Sequence, residues 1–159
     1  MDGEPGMTPL DPRQIKVLRA RWLIATVALT GITVAICLGP LRATPIPLGV
    51  LPATVAFMGL LASFVLPSRR YRAWGYREEE DELHVRHGLL VRVRTAVPFA
   101  RVQHIDLAQG PIERRYGLAR LILHTAGTRG AAIPLPGLAR EEAEAMRDRI
   151  RAKIKQDLV

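Results

Sequence analysis

WLIATVALTGITVAICLGPL (residues 22–41) and ATPIPLGVLPATVAFMGLLASFVLPS (residues 43–68) are runs of twenty and twenty-six residues without a charged side chain, separated by Arg42 alone. A helix crosses the hydrocarbon core of a bilayer in about 20 residues, so each run is long enough to span. A soluble protein with two buried helices fares worse as a reading. About 90 of the 159 residues follow the second run, too few to cover two helices that are apolar on every side.

A secretory signal peptide is the other alternative, because Lys16, Arg19 and Arg21 precede the first run as a basic n-region would. The run is long for the apolar part of such a signal, however. Arg42 also interrupts the one small-residue cleavage site near Ala43, and a second span follows at once. Basic residues then set the orientation. Arg13, Lys16, Arg19 and Arg21 flank the first span, Arg69, Arg70, Arg72 and Arg77 follow the second, and the connecting loop holds only Arg42. Both termini are therefore expected in the cytoplasm, with the two spans crossing the membrane between them. The formal charge of +8 is accounted for largely by these flanks, so the basic balance requires no nucleic-acid partner.

Cys37 is the single cysteine and lies within the first span, which excludes an internal disulfide and a cysteine-based metal site. Residues 1–12 carry three prolines and three acids, a composition that predicts a disordered tail. Gly31, Ala35 and Gly39 recur every four residues in the first span, and Gly59 and Ser63 do so in the second. Small residues at that spacing let helix backbones approach, in a hairpin or in a homo-oligomer. Pro47 suits the start of the second helix. Tyr71, Trp74 and Tyr76 follow it where aromatic rings favour the headgroup region.

Beyond the spans the periodicity changes from continuous to alternating. Leu83 and Val85 interleave with His84 and Arg86, and Val91, Val93 and Val97 with Arg92 and Arg94. That is strand periodicity, with His87-Gly88 as the turn. A third strand is read over Val102–Ala108, placing Val102, His104, Asp106 and Ala108 on one face, and Gly110-Pro111 ends it. One helical turn closed by Gly117 follows. Strands over 120–125 and 131–135 bracket a turn at 127–130. Ala139, Ala143, Met146, Ile150 and Ile154 then form one stripe of an amphipathic helix. Phe99, Val102, Leu121, Ile133 and Ile150 are expected to share one core.

Pro98-Phe-Ala-Arg101-Val102-Gln103-His-Ile-Asp, Gln109-Gly110-Pro111-Ile-Glu113-Arg114-Arg-Tyr-Gly117 and Leu123-His-Thr125-Ala126-Gly127 together resemble the YdbS-like bacterial PH-domain membrane proteins. The resemblance extends to His87-Gly88-Leu89-Leu90 and to the paired spans, covering roughly residues 15–155. It implies a membrane α-helical hairpin followed by a mainly-β PH-like domain, in which two packed antiparallel sheets are closed by a C-terminal helix. It also implies partners that are often related proteins carrying further copies of the domain, usually encoded by a neighbouring gene. The resulting organisation is a cytoplasmic tail over 1–12, a two-helix transmembrane hairpin over 13–70 with spans at about 22–41 and 47–66, and a cytoplasmic PH-like domain over 71–159.

Enzyme chemistry fails on inventory. Ser63 and Ser68 belong to the second span or its edge and Cys37 to the first, so the soluble part has no serine or cysteine nucleophile and threonine alone remains, as Thr95, Thr125 and Thr128. His84 and His87, three apart on a strand, point to opposite faces, which disfavours joint metal ligation, and all four histidines read as surface residues. Glu78–Glu82 reads as a solvated turn. No catalytic residue, cofactor or metal is therefore assigned. Arg86, Arg92 and Arg94 lie around one hairpin, at a spacing that resembles the basic motif of eukaryotic PH domains. Arginine forks bind phosphate well, but a solvated basic face is the plainer reading. The expectation is a non-enzymatic membrane-anchored scaffold that binds partner membrane proteins, with recognition of anionic lipid headgroups as the alternative.

Overall fold

The structure, a computed structural model, describes residues 6–39, 49–126 and 132–156, with residues 155 and 156 as backbone only. The chain divides into two units: Ile15–Arg69, and a second that joins everything from Arg70 onward to the residues before Ile15.

The helical unit is built from α1 (Gln14–Leu38) and α2 (Val50–Arg72), of 25 and 23 residues. At about 1.5 Å per residue each exceeds the ~30 Å hydrocarbon thickness. Leu23, Ile24, Val27, Phe57, Leu61 and Phe64 point outward, a surface that only lipid solvates without penalty. Both helices run further than the uncharged runs predict. α1 begins upstream of them and carries Lys16, Arg19 and Arg21 on its first turns. α2 passes through Pro67 to Arg72 instead of stopping near residue 66. Proline removes one amide donor, yet backbone groups in lipid have no water to turn to, so the helix continues. The expected start at Pro47 lies outside the described residues.

The two helices touch at Gly59, where a Cβ would lie 2.4 Å from the Thr26 methyl carbon. Ser63, also buried, donates its hydroxyl to the Gly59 carbonyl at 2.8 Å. The small-residue spacing of α2 thus works as predicted. That of α1 does not form this contact, because Gly31 has nothing within 4 Å of the position its Cβ would take.

The second unit contains β1 (Gly75–Glu78), β2 (Glu82–His87), β3 (Val93–Pro98), a 3-10 turn at Phe99–Arg101, β4 (Val102–Ala108), α3 (Pro111–Arg115), β5 (Leu118–Thr125), β6 (Ala132–Ala139) and α4 (Arg140–Gln156). Two antiparallel three-stranded sheets result, ordered β1-β2-β3 and β4-β5-β6. Leu83, Val85 and Val97 from the first sheet and Ile105, Leu121, Leu123 and Leu135 from the second meet Ala143, Met146 and Ile150 of α4 in one core. Of the five predicted core residues, Phe99, Val102, Leu121 and Ile150 are buried, while Ile133 is only partly so. Arg149 pins α4 to β1 through Glu78 at 2.9 Å, and also bonds Glu142 at 3.0 Å. These carboxylates, Glu78 foremost, hold its guanidinium still more firmly protonated against the opposing effect of burial.

Four local readings change. β1 is a strand that alternation did not reveal in four residues. β4 carries a bulge between Val102 and His104, so Val102 and Ile105 both face inward while His104 turns out. Strict alternation had put Val102 and His104 on one face. β6 continues through Pro134 and Pro136 to Ala139, which an edge strand tolerates because its outer amides need no partner. Ala139 therefore ends a strand and does not begin the helix.

The tail is the largest difference. Residues 6–12 pack on the PH-like unit: Thr8 exchanges two backbone bonds with Tyr76, at 2.7 and 3.0 Å, and the Asp11 amide donates to Gly137 at 2.8 Å. Leu10 is buried in the core, and its carbonyl accepts from the Tyr71 hydroxyl. Composition predicts disorder from what the segment can bury by itself, and here the burial is supplied by a sheet edge distant in sequence.

Candidate functional site

The β2–β3 hairpin gathers the three predicted arginines. In the antiparallel register Arg86 stands directly opposite Arg94, with Arg86 also opposite Gly75 of β1. Both arginines share the face turned away from Leu83, Val85 and Val97. Arg92 is exposed one residue before β3 begins. Positive charge is thus concentrated at the end of the sheet where β1 enters.

Between these arginines the chain turns through Gly88-Leu89-Leu90-Val91. Gly88 has φ +108°, and a Cβ there would collide with the Val91 carbonyl oxygen at 1.9 Å, so the turn requires glycine. The alternation predicts Val91 within the strand, but β3 starts only at Val93. Leu90 is 96% exposed and Val91 74%, with Leu89 also outside. A soluble surface seldom presents three adjacent large aliphatic side chains at a loop tip without a use for them. The sequence signal was present as Leu89-Leu90-Val91, but periodicity absorbed it into a strand. At the turn end of the hairpin the Trp74 ring stacks on His87, centroids 5.0 Å apart. His84 faces the other way, toward Glu82 at 2.6 Å.

The signature segment holds the turn between β4 and β5. Gly110 caps α3, and Pro111 occupies the first helical position, where its missing amide is no loss. Glu113 is buried at 2% exposure; its carboxylate accepts from the Gly110 amide at 2.7 Å and from Arg120 Nη2 at 2.8 Å. Gln109 donates to the Leu118 carbonyl at 2.7 Å. The Arg114 amide donates to the Gly110 carbonyl at 2.8 Å, leaving its side chain exposed.

Gly117 takes φ +66°, as expected for a residue closing the turn. Gly110 does not: its φ of −76° is ordinary, and the need for glycine there comes from Glu113 Oε2, 3.1 Å from where a Cβ would sit. Pro98 ends β3 opposite Glu82, and Gln103 is exposed in the bulge. The Arg101 carbonyl accepts from the Ala126 amide beside Thr125, which pairs with Val102. Gly127 lies outside the described residues. The hairpin arginines and the signature residues therefore occupy different places, one a surface and the other a corner of the fold.

Two antiparallel sheets closed by a helix, behind two bilayer-length helices, define a membrane-anchored PH-like protein. A family model for the bacterial PH domain matches residues 20–154, and the chain belongs to that family. It is 37% identical over 102 residues to the transmembrane protein YdbS of Bacillus subtilis (strain 168), a stretch covering 64% of this chain and 62% of YdbS. It is 28% identical over 103 residues to the transmembrane protein YdbT of the same organism, covering 64% of this chain and 20% of YdbT. The matched stretch thus spans less than two thirds of either relative. No solved structure matches.

Proposed function

We propose that this membrane protein is a non-enzymatic interaction module of the bacterial inner membrane, with both termini cytoplasmic, whose PH-like unit works against anionic lipid headgroups through the β2–β3 hairpin. The observation that carries this reading is the exposed Leu89-Leu90-Val91 tip set among Arg86, Arg92 and Arg94. On the residues alone partner proteins come first; the exposed tip moves the bilayer ahead. Arginines engage phosphates while the aliphatic tip enters the acyl boundary, the division of labour seen in interfacial segments. The register adds support, since the hairpin turns at the sheet end where β1 begins, three residues after the last residue of α2. A non-enzymatic role is supported by the lack of serine and cysteine outside α1 and α2 and by the engagement of Glu113 within the fold.

Each arginine near an anionic surface contributes about 1 kcal/mol, and this attraction is screened over ~10 Å at 0.1 M salt. The test is a Leu90→Cys, Cys37→Ala chain labelled with a polarity-sensitive fluorophore and reconstituted into phosphatidylcholine vesicles with or without phosphatidylglycerol. The expected result is a blue shift in anionic vesicles at low salt. It should be lost in an Arg86/Arg92/Arg94→Gln triple and kept in an Arg115/Arg147/Arg151→Gln triple of equal charge. Water-like emission in every vesicle, or equal loss in both triples, refutes the reading.

A second reading, a scaffold for partner membrane proteins including related PH-domain chains, is favoured by the match to YdbT. There the shared stretch is only a fifth of the protein, so this kind of unit also occurs within a longer chain. Recovery of such a partner from gently solubilised membranes, undiminished by the hairpin triple, would put this reading first.

A further inference from the structure

On the outer face of the β4-β5-β6 sheet, away from the hairpin, the β4 bulge creates a second arrangement. Because the bulge turns His104 outward, His104 stands directly opposite His124 of β5, and Asp106, two residues along β4, shares their face. The two imidazoles stack with centroids 4.0 Å apart and planes 12° from parallel. Asp106 Oδ2 lies 3.1 Å from His124 Nε2 and 3.8 Å from His104 Nε2. One donor atom from each of the three residues lies within 4.8 Å of the others.

We infer that His104, His124 and Asp106 form a binding site for a divalent ion of the zinc, nickel or copper class. Donors around a four-coordinate zinc ion with bonds of about 2.0–2.2 Å are separated by about 3.3–3.6 Å. The 3.1 Å spacing of Asp106 from His124 needs to widen slightly, the 3.8 Å spacing from His104 needs to close slightly, and no pair exceeds 4.8 Å, so adjustments of about 1.5 Å or less suffice. Rotation of exposed side chains achieves that without moving the strands, and the three residues have ample freedom, His104 and Asp106 being 60% and 58% exposed. The donor set selects the metal: two imidazole nitrogens and one carboxylate suit borderline ions, whereas magnesium and calcium require a shell of oxygens. Three protein ligands leave at least one coordination position open to solvent, where water or a side chain of a docked protein completes the shell. Among the described residues a second His-containing cluster, Glu79, Glu82 and His84, offers one imidazole, and its Glu79 is already bound to Arg77 at 2.7 Å. It serves as the internal control. The site is independent of the hairpin and of its lipid reading.

The test uses the full chain, free of any affinity tag, in mild detergent after chelator treatment, titrated with zinc chloride in a calorimeter. The wild type is expected to bind one equivalent at this site. His104→Ala and His124→Ala should each weaken binding by about tenfold or more, with Asp106→Asn weaker than wild type and His84→Ala unchanged. Loading with copper(II) gives a second readout, in which electron paramagnetic resonance should report two coordinated imidazole nitrogens, reduced to one in either single variant. Because all three side chains stand on the surface, circular dichroism should show every variant folded. Binding that survives in the His104→Ala/His124→Ala double variant, or that falls equally in His84→Ala, overturns the assignment.

Discussion

Removing the Glu113 carboxylate tests how the corner between β4 and β5 is held. The side chain is 2% exposed and satisfies two donors that belong to different elements, the Gly110 amide at the start of α3 and the Arg120 guanidinium on β5. Glu113→Ala leaves that amide without its acceptor, which costs about 1–3 kcal/mol, and strips a counter-charge from Arg120. Breaking a fully buried ion pair costs about 3–5 kcal/mol. Arg120 keeps 32% exposure, so water re-solvates part of its charge and the lower end applies, ~3 kcal/mol. For a unit of this size that lowers the melting midpoint by about 10–20 °C. Glu113→Gln keeps an oxygen for the Gly110 amide and loses only the charge, so about half the effect is expected. Arg120→Leu combined with Glu113→Ala should be less damaging than the sum of the two, because no uncompensated charge remains. Urea unfolding in mild detergent, followed through Trp74 in a Trp22→Phe background, measures all four variants. A Glu113→Ala chain within 0.5 kcal/mol of its parent, or a glutamine variant as damaged as the alanine one, refutes the reasoning.

Ile150→Asp places a charge without a partner at a fully buried position of α4 and should cost several kcal/mol, read as loss of the cooperative urea transition. Gly88→Ala cannot keep φ +108° or clear the Val91 carbonyl, so it should cost about 1–3 kcal/mol and rearrange the hairpin tip, visible as altered emission from the labelled Leu90→Cys position. The Asp11 carboxyl is held below the ordinary carboxylate range, chiefly by hydrogen bonds from the Arg13 side chain and against the opposing effect of partial burial. A depressed folded pKa gives stability that is present above the unfolded value of about 3.9 and lost as pH falls through the lower folded value. The protection factors of the Thr8 and Asp11 amides, measured against the intrinsic exchange rate at each pH, should therefore fall below about pH 4, and Asp11→Asn should remove that pH dependence.

How far the sequence reaches depends on the range of the forces involved. The spans were legible because twenty uncharged residues are a local property: burying one apolar helix in lipid needs nothing from the rest of the chain. The hairpin turn at Gly88, the corner at Gly117 and the stripe Ala143, Met146 and Ile150 were legible for the same reason, since backbone angles and helix periodicity act over a few residues. The arginines were correctly gathered on one hairpin, but that Leu89, Leu90 and Val91 stand outside it required knowing where pairing stops, at His87 and Val93.

Only the tertiary structure decided the remainder. Residues 6–12 are ordered by Tyr76 and Gly137, more than sixty positions away, so no reading of their own composition could place them. One extra residue in β4 inverts the strand's pattern after Val102, and that bulge alone brings His104 beside His124. Glu113 reads as one acid in a charged segment until the fold buries it against Gly110 and Arg120. In each case the deciding contact lies between segments remote in the chain, where register and burial are set by the packed core and not by neighbouring residues.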